Sequence, residues 1–396
     1  DTWKSRGLGD VYKRQSESNS RLKVFLENPS KALWSLAIPI MFGMGIQTLY
    51  NLVDMIFIGK LGGQAITGIA FNMPLFFLVL GLTMGLGTGV TAAIARFIGE
   101  DNKKQADNCA EHAVFMAVLI SIILSSTGLL FGKEILSLLG AEGEILNLGW
   151  AYLHVMCVGM PFMIFSGFFR SILSGEGDMK LPMMVAGLGT VLNIILDPIF
   201  IFELDSFGGI GFGLGIAGAA MATVISQVIV FFVFIVMLFF KDHSYISFNL
   251  NDFTFSTEIL WDIIKVGLPA SLSMIVMAVG QGVFNKILVH ISVETVAAYQ
   301  VAGRLDMLVF LPIFSIAASL TTLIGMFYGA KEFEALRFTI RYGIISALII
   351  TIFSSALVYI FADQVVRFFT EDESIVLIAV NFLQIFAFAY PFIAVG

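Results

Sequence analysis

The sequence predicts an all-α membrane protein, and three observations support that prediction. Mean hydropathy is +0.92, 58% of residues are hydrophobic, and only 13% are charged, about half the charged share of soluble proteins. The 38 glycines suit closely packed membrane helices. Apolar runs of the length that crosses a bilayer, about 20 residues or more, lie at 33–58, 65–95, 107–132, 145–172, 181–203, 214–240, 258–290, 295–328, 335–361 and 374–396. None shows the alternation of a membrane-barrel strand, so about ten helices are expected.

The N-terminal tail, residues 1–32, is expected on the cytoplasmic side. Its first part, residues 1–15, is polar, lacks a helical period and is interpreted as non-native sequence. No cleavable signal peptide is visible, because the first apolar run is too long for one. Lysine and arginine favour cytoplasmic loops. They cluster in the loops predicted to lie on the same side of the membrane as the N-terminus, and Arg96, Lys103 and Lys104 are examples. We therefore expect a multi-pass protein of the cytoplasmic membrane.

The chain repeats itself at a constant offset of 230 residues, which pairs Pro39 with Pro269 and Gly99 with Gly329. Each repeat unit has six apolar runs, an even number, so both halves share one orientation. The expected symmetry is a pseudo-two-fold axis along the membrane normal, with a cavity between the halves. The predicted organisation is a first lobe at 33–240, a cytoplasmic linker at 241–257 and a second lobe at 258–396. The second lobe is expected to be incomplete, as in a C-terminally truncated chain.

Two carboxylates lie inside apolar runs and are the leading candidates for function. Asp54 is in the first run and Asp197 in the fifth. Both fall roughly 8–9 Å from the predicted outer helix end, at 1.5 Å rise per residue. Intramembrane carboxylates usually face a cavity and carry ion or proton traffic. A structural polar cluster that joins helices is the alternative.

Neighbouring polar residues fall at the same depth. Tyr50 precedes Asp54 by four residues and Asn193 precedes Asp197 by four, so each pair shares a helix face. Pro198 leaves an upstream carbonyl without its helical partner. Oxygen-bearing groups suit a hard cation or a shared proton. The candidate ion or proton site is Tyr50, Asp54, Tyr152, Asn193, Asp197 and Thr223, with Na⁺ at Asp54, Asn193 and Asp197 as one form.

The second repeat lacks this cluster, so the ion chemistry is assigned to the first half. Apolar residues or glycine stand at the positions that match Tyr50, Asp54 and Tyr152, namely Gly280, Phe284 and Phe382. Weaker candidates for lining a substrate cavity are Asn51, Gln281 and Arg304.

Several function classes are disfavoured. Walker A, dinucleotide-binding, metal-ligand and nucleophile motifs are not found in the sequence, so no cofactor and no nucleic-acid partner are expected. A membrane-embedded enzyme would need such a constellation. A lipid or polysaccharide-intermediate flippase would need a basic cavity for phosphates, for which Arg304 is the one candidate. Energy is expected from a Na⁺ or H⁺ gradient.

Four segments together resemble the multidrug and toxic compound extrusion (MATE) transporters: "LAIPIMFGMGIQTLYNLVDMIFIGKLG", "RSILSGEGDMKLPM", "LNIILDPIFIF" and "GAAMATVISQ". The resemblance covers essentially residues 25–396. It implies twelve helices in two six-helix lobes, and antiport of drugs or other amphiphilic organic cations against Na⁺ or H⁺, by a protein expected to act as a monomer.

The residues of the cluster also resemble one branch of that family. Asp54 and the Asn193-x-x-x-Asp197 spacing are similar to the N-lobe ion site of the DinF-like branch. Tyr50, Tyr152 and Thr223 would take supporting roles. The acidic residue that the NorM-like branch has in its seventh helix has no counterpart in the middle of 258–290.

Overall fold

The structure, a computed structural model, describes residues 21–203, 211–240, 244–249, 253–368, 370 and 372–394. These residues form helices joined by turns, without a strand in the described ranges, so the all-α class is confirmed. The segment 1–15 lies outside the described residues. The helices are α1 (Pro29–Gly59), α2 (Gly63–Ala70), α3 (Met73–Gly99), α4 (Lys103–Leu138), α5 (Gly143–Gly175), α6 (Lys180–Ile201), α7 (Gly215–Ile235), α8 (Thr257–Ile291), α9 (Val293–Gly329), α10 (Phe333–Arg367), α11 (Glu373–Ala387) and α12 (Tyr390–Ile393).

Nine helices of the described chain are long and apolar enough to cross a membrane, by length and composition. They correspond to the first nine predicted runs, and α7 contributes its span together with a π-helical turn at Val236–Phe240. The tenth run is interrupted. It forms α11, a shorter apolar helix, and then α12. Pro391 lies at the start of α12, where a missing N–H is tolerated.

The second predicted run is not one helix, so its expected start at residue 65 is wrong. The chain breaks at Phe71 and Asn72 between α2 and α3, and Pro74 follows in the first turn of α3. The buried Asn72 side chain donates from Nδ2 to the backbone oxygens of Gly68, at 2.9 Å, and Gly149, at 3.1 Å. This side chain joins the short helix to α5 at the break.

Helix starts follow ordinary capping chemistry. The Asn28 side chain accepts from the backbone N–H of Lys31 at 3.0 Å and caps α1. Ser256 caps α8 and Ser292 caps α9 in the same way. Each cap satisfies a backbone donor that the helix itself leaves open.

The internal repeat is visible in the backbone. Asp101 and Lys331, which lie 230 residues apart, have φ angles of 54° and 60°. Such left-handed backbone is uncommon outside glycine. The hydrogen bonds of the two turns also match, because Asn102 N donates to Phe97 O and Glu332 N donates to Phe327 O, both at 2.9 Å. The same turn therefore ends α3 and α9.

These two turns define what we call the inner end of the molecule, predicted to be cytoplasmic; the opposite end is the outer end. The first lobe is α1–α7 and the second lobe is α8–α12. At the inner end one hydrophobic core contains residues of both lobes, among them Leu33, Ile94, Ile263 and Phe327. Toward the outer end the buried clusters are separate, one in the first lobe and two in the second. The second-lobe residues of this shared core, such as Ile263 and Phe327, lie in the inner halves of their helices.

The linker between the lobes is held against the first lobe by acidic side chains. Glu176, which follows α5 directly, is buried and accepts backbone N–H groups of Tyr245 at 3.0 Å and Ile246 at 3.2 Å. Side chains of α4 also accept linker N–H groups, namely Asp107 from Ser247, Glu111 from Asn249 and His112 from Ser256. The linker is therefore strapped to the first lobe as far as the start of α8.

Candidate functional site

The carboxylate predicted in the fifth run lies at the centre of a polar cluster. Asp197 on α6 is fully buried, and Asn193, one turn earlier, is 4% exposed. Asn193 Nδ2 donates to Asp197 Oδ1 at 2.9 Å. The two residues share a helix face as their spacing predicts. The amide therefore supplies one of the hydrogen bonds that a buried carboxylate requires.

The two predicted carboxylates meet. Asp54, half-buried on α1, lies within hydrogen-bonding reach of Asp197. Asp197 Oδ2 is buried and receives no donor from the described part of the chain. Because a carboxylate has no hydrogen to give, the two groups can bond each other only when they share a proton. The pair therefore distinguishes a loaded state, with a proton or cation between the groups, from an empty state in which they repel.

Three further predicted residues complete the cluster. The Thr223 hydroxyl on α7 has two acceptors for its one hydrogen, Ala219 O at 3.1 Å and Asn193 Oδ1 at 3.4 Å. The Tyr50 hydroxyl lies close to the Thr223 hydroxyl and to both carboxyls. Tyr152 on α5 lies close enough to interact electrostatically with both carboxyls. Four helices of the first lobe thus each place an oxygen-bearing side chain at one depth.

The charge of the pair is not balanced by a basic side chain. Within the described ranges, no lysine, arginine or histidine forms an ion pair with Asp54 or Asp197. A buried charge without a partner is costly. The site consequently favours binding of a positive ion from outside the protein.

An apolar layer, which we call the lid, covers the cluster on its outer side. Ile58, Ile201 and Ala219 are each one helical turn further outward than Asp54, Asp197 and Thr223, and the three pack in one buried cluster. Asp54 and Tyr50 keep partial exposure beneath it, whereas Asp197 has none. Asp54 is therefore the more accessible carboxyl of the pair.

Two of the remaining predicted residues, Gln281 and Arg304, do not join this cluster. Gln281 and Arg304 are exposed on the second lobe, and Gln281 hydrogen-bonds to Tyr299. The side chain of Asn51 lies outside the described residues. Gln281, Arg304 and Asn51 therefore stay predictions as cavity residues.

Aromatic rings fill the equivalent place in the second lobe. Phe284 and Phe382, the counterparts of Asp54 and Tyr152, pack edge-on against Tyr299 at ring-centre distances of 5.0 and 5.6 Å. Sequence reasoning did not identify Tyr299, because its own repeat counterpart is outside the first-lobe cluster. A nearby carboxylate of the second lobe, Asp306, instead accepts a hydrogen bond from the Tyr390 hydroxyl.

The fold defines a class of protein: a membrane transporter made of two repeated helical lobes. The chain belongs to the MatE family, whose model matches residues 39–199 and 269–396. The two matched segments begin 230 residues apart, the offset of the repeat. Family membership confirms the MATE resemblance and makes the chain a membrane transporter rather than an enzyme. The DinF-like branch and the truncation stay predictions.

Curated relatives match most of the chain. The probable multidrug resistance protein NorM of Thermotoga maritima is 29% identical over 347 residues, which are 87% of this chain and 73% of the relative. The multidrug export protein MepA of Staphylococcus aureus strain MW2 is 30% identical over 371 residues, 93% of this chain and 80% of the relative.

Solved structures agree with this fold. A MATE crystal structure in complex with MaD3S has a TM-score of 0.88 at 34% identity, covering 94% of this chain and 82% of that one. An outward-facing multidrug resistance MATE transporter of the MOP superfamily has a TM-score of 0.86 at 35% identity, covering 92% and 80%. A MOP superfamily transporter from Pyrococcus furiosus, whose binding pocket of reverse polarity suggests a different function, has a TM-score of 0.85 at 34% identity, covering 94% and 82%.

Proposed function

We propose that this chain is an ion-coupled antiporter, driven by Na⁺ or H⁺, that exports drugs or other amphiphilic organic cations across the cytoplasmic membrane, with its N-terminus inside. The observation that carries the proposal is the Asp54–Asp197 pair, two intramembrane carboxyls within hydrogen-bonding reach of each other and without a basic partner among the described residues. The relatives named for multidrug resistance and export support the substrate class.

In this proposal, binding of an ion to the Asp54–Asp197 pair changes the distance between helices α1 and α6. In the empty state two carboxylates repel across a site with little water. A proton or Na⁺ removes that repulsion and lets α1 and α6 approach. Two unit charges about 4 Å apart at an effective dielectric constant of about 20 repel by about 4 kcal/mol. This is below the about 5.5 kcal/mol that moves a two-state equilibrium from 1:99 to 99:1, but it still changes the equilibrium constant by several hundredfold, at about 1.4 kcal/mol per factor of ten.

Antiport then requires that ion and substrate favour different states of the lobes. The ion stabilises the arrangement in which α1 packs tightly on α6. A lipophilic cation is attracted to the cavity when the carboxylates are charged, and it is released when they are neutralised. The same carboxyls are therefore assigned to ion binding and to substrate release.

The alternative is a flippase for lipid or polysaccharide intermediates. The Pyrococcus furiosus relative supports this alternative, because the reverse polarity of its binding pocket suggests a different function. It would need cationic side chains along the cavity to hold phosphates. The acidic cluster of the first lobe favours export of cations over this alternative.

The test is ethidium efflux from vesicles under separate Na⁺ and pH gradients. Asp54→Asn and Asp197→Asn should each lower the gradient-driven rate at least tenfold, because a neutral amide cannot exchange a proton or balance Na⁺. Asp306→Asn is the matched control, a carboxylate of an apolar span that lies outside the cluster, and should retain efflux. Wild-type efflux in both cluster variants at equal expression would refute the proposal.

A further inference from the structure

We infer that Gly99 and Gly329 form the contact that holds the two lobes closed at the inner end, and that they position the transporter in the state open toward the outer end. The inference deepens the proposed function, since it concerns the lobe movement that antiport requires. Neither glycine belongs to the ion cluster. Both end long helices, Gly99 the helix α3 and Gly329 the helix α9.

The two glycines allow direct contact of backbones between lobes. A Cβ atom at Gly99 would lie 2.1 Å from Met326 O, and one at Gly329 would lie 2.1 Å from Arg96 O. Both distances are far below an ordinary contact of 3.4–4 Å. The obstacle is a backbone atom in each case, which cannot turn aside as a flexible side chain can. Any larger residue must therefore separate α3 from α9.

The contact is reciprocal in the manner of a two-fold interface. Arg96 and Met326 are repeat counterparts, as are Gly99 and Gly329. Gly99 of the first lobe faces Met326 of the second, and Gly329 of the second lobe faces Arg96 of the first. Each glycine therefore contacts the repeat counterpart of the residue that the other glycine contacts, as in an isologous interface. A Cβ at Gly325 would lie 2.8 Å from the Cβ of its own counterpart, Ala95. The pseudo-two-fold axis consequently passes between Ala95 and Gly325.

Independent contacts close the same end. A Cβ at Gly89 of α3 would lie 2.1 Å from Ile263 O of α8. Arg96 forms an ion pair with Asp262, also across the lobes. Thr322 Oγ1 of the second lobe donates to Ser174 O of the first at 2.9 Å. Backbone packing, an ion pair and a hydrogen bond thus agree that the inner end is shut.

Two glycines of the second lobe that lie toward the outer end show no such packing. A Cβ at Gly280 of α8 or Gly303 of α9 would have nothing within 4 Å. Close packing through small residues is held by van der Waals contact and not by buried charge. Such a contact separates without leaving many charges unpaired, which suits a surface that opens in every cycle. The glycines therefore let α3 and α9 pack closely and still separate in each cycle.

The first experiment measures the opening of the inner end directly. Spin labels are placed at Lys104→Cys and Glu334→Cys, exposed repeat counterparts near the inner ends of α4 and α10, in a background where the buried Cys109 and Cys157 are replaced by alanine. Double electron–electron resonance then gives the distance between the lobes. Gly99→Ala and Gly329→Ala should each move most of the population to a longer distance, by a similar amount.

Gly280→Ala carries the same helix-stabilising change with no neighbour within 4 Å and should keep the wild-type distance. Unchanged distances in Gly99→Ala and Gly329→Ala would overturn the inference. Neither ion nor substrate enters this measurement, so its failure is distinct from failure of the efflux test.

A crosslinking experiment covers the case in which the alanine variants do not fold. Ala95→Cys combined with Gly325→Cys places two thiols where the Cβ positions are 2.8 Å apart, about 1 Å closer than the spacing of about 3.8 Å in a disulfide, so a slight separation of α3 and α9 brings them to bonding geometry. Mild oxidation should join the lobes, so that the halves stay together on a gel after cleavage of the linker. Absence of a crosslink would also overturn the inference.

Discussion

Removal of the Asn193 amide tests how tightly the polar cluster is built. In Asn193→Ala, Asp197 Oδ1 loses the donor that lies 2.9 Å away. Its other oxygen has no donor from the described chain to compensate. A hydrogen bond to a charged group contributes about 1.5–3 kcal/mol, so the variant should lose stability of that order.

The loss converts to a measurable shift in melting temperature. An unfolding entropy of about 2.1 cal/mol/K per residue gives about 0.8 kcal/mol/K for 396 residues. The expected drop in Tm is therefore about 2–4 °C. Thermal unfolding of the purified protein, followed by tryptophan fluorescence, measures it. Asn147→Ala, an exposed asparagine of α5, is the control and should leave Tm unchanged.

A double-mutant cycle separates this bond from a general packing defect. In the Asp197→Asn background the carboxylate is gone, so Asn193→Ala should cost at least about 1 kcal/mol less than in wild type. Equal costs in the two backgrounds would show that the amide does not act through Asp197. A drop in Tm no larger than that of Asn147→Ala would refute the reasoning altogether.

Two further predictions concern the linker and the lid. Burial raises the pKa of Glu176 above its ordinary 4.5 despite the hydrogen bonds from Ser244, Tyr245 and Ile246. The native state therefore binds that proton more tightly than the unfolded chain, and the contribution of Glu176 to stability falls as pH rises from 4.5 toward its folded pKa. Glu176→Gln should flatten the dependence of Tm on pH in that window, and an unchanged slope would contradict the assignment. Ile201→Ala, in the lid, should cost about 2–5 kcal/mol through the cavity it leaves, whereas Ile195→Ala, 53% exposed on the same helix, should cost little; equal melting temperatures would exclude a packed lid.

Much of the fold and site could be predicted because hydropathy and helical spacing carry that information directly. The meeting of Asp54 and Asp197 could be predicted because the helical rise gives the depth of each residue below the helix end, and both runs are predicted to cross the membrane in the same direction. Asn193 bonds Asp197 because residues four apart share a face. A regular helix converts sequence spacing into geometry without knowledge of the partner helix.

Other features depend on tertiary contacts that one helix does not encode. The break at Asn72 joins α2 to Gly149, far away in sequence. The role of Gly99 depends on which backbone faces it, and an apolar helix offers several candidate faces. Tyr299 gathers Phe284 and Phe382 only after three helices are packed. In each case the missing information is the choice of partner.

The two lobes are alike at the inner end and differ at the acidic cluster, and this difference fits the proposed mechanism. At the inner end the counterparts Gly99 and Gly329 make reciprocal contacts, so both lobes must present the same surface for the seam to close. At the ion cluster the counterparts differ, since Asp54 faces an aspartate whereas Phe284 faces an aromatic ring. One charged site is sufficient to bias a two-state equilibrium, provided that the ion binds one state better. In the proposed mechanism, symmetry is required where the lobes dock and is dispensable at the acidic cluster, so that a single acidic lobe would drive the rocking of both.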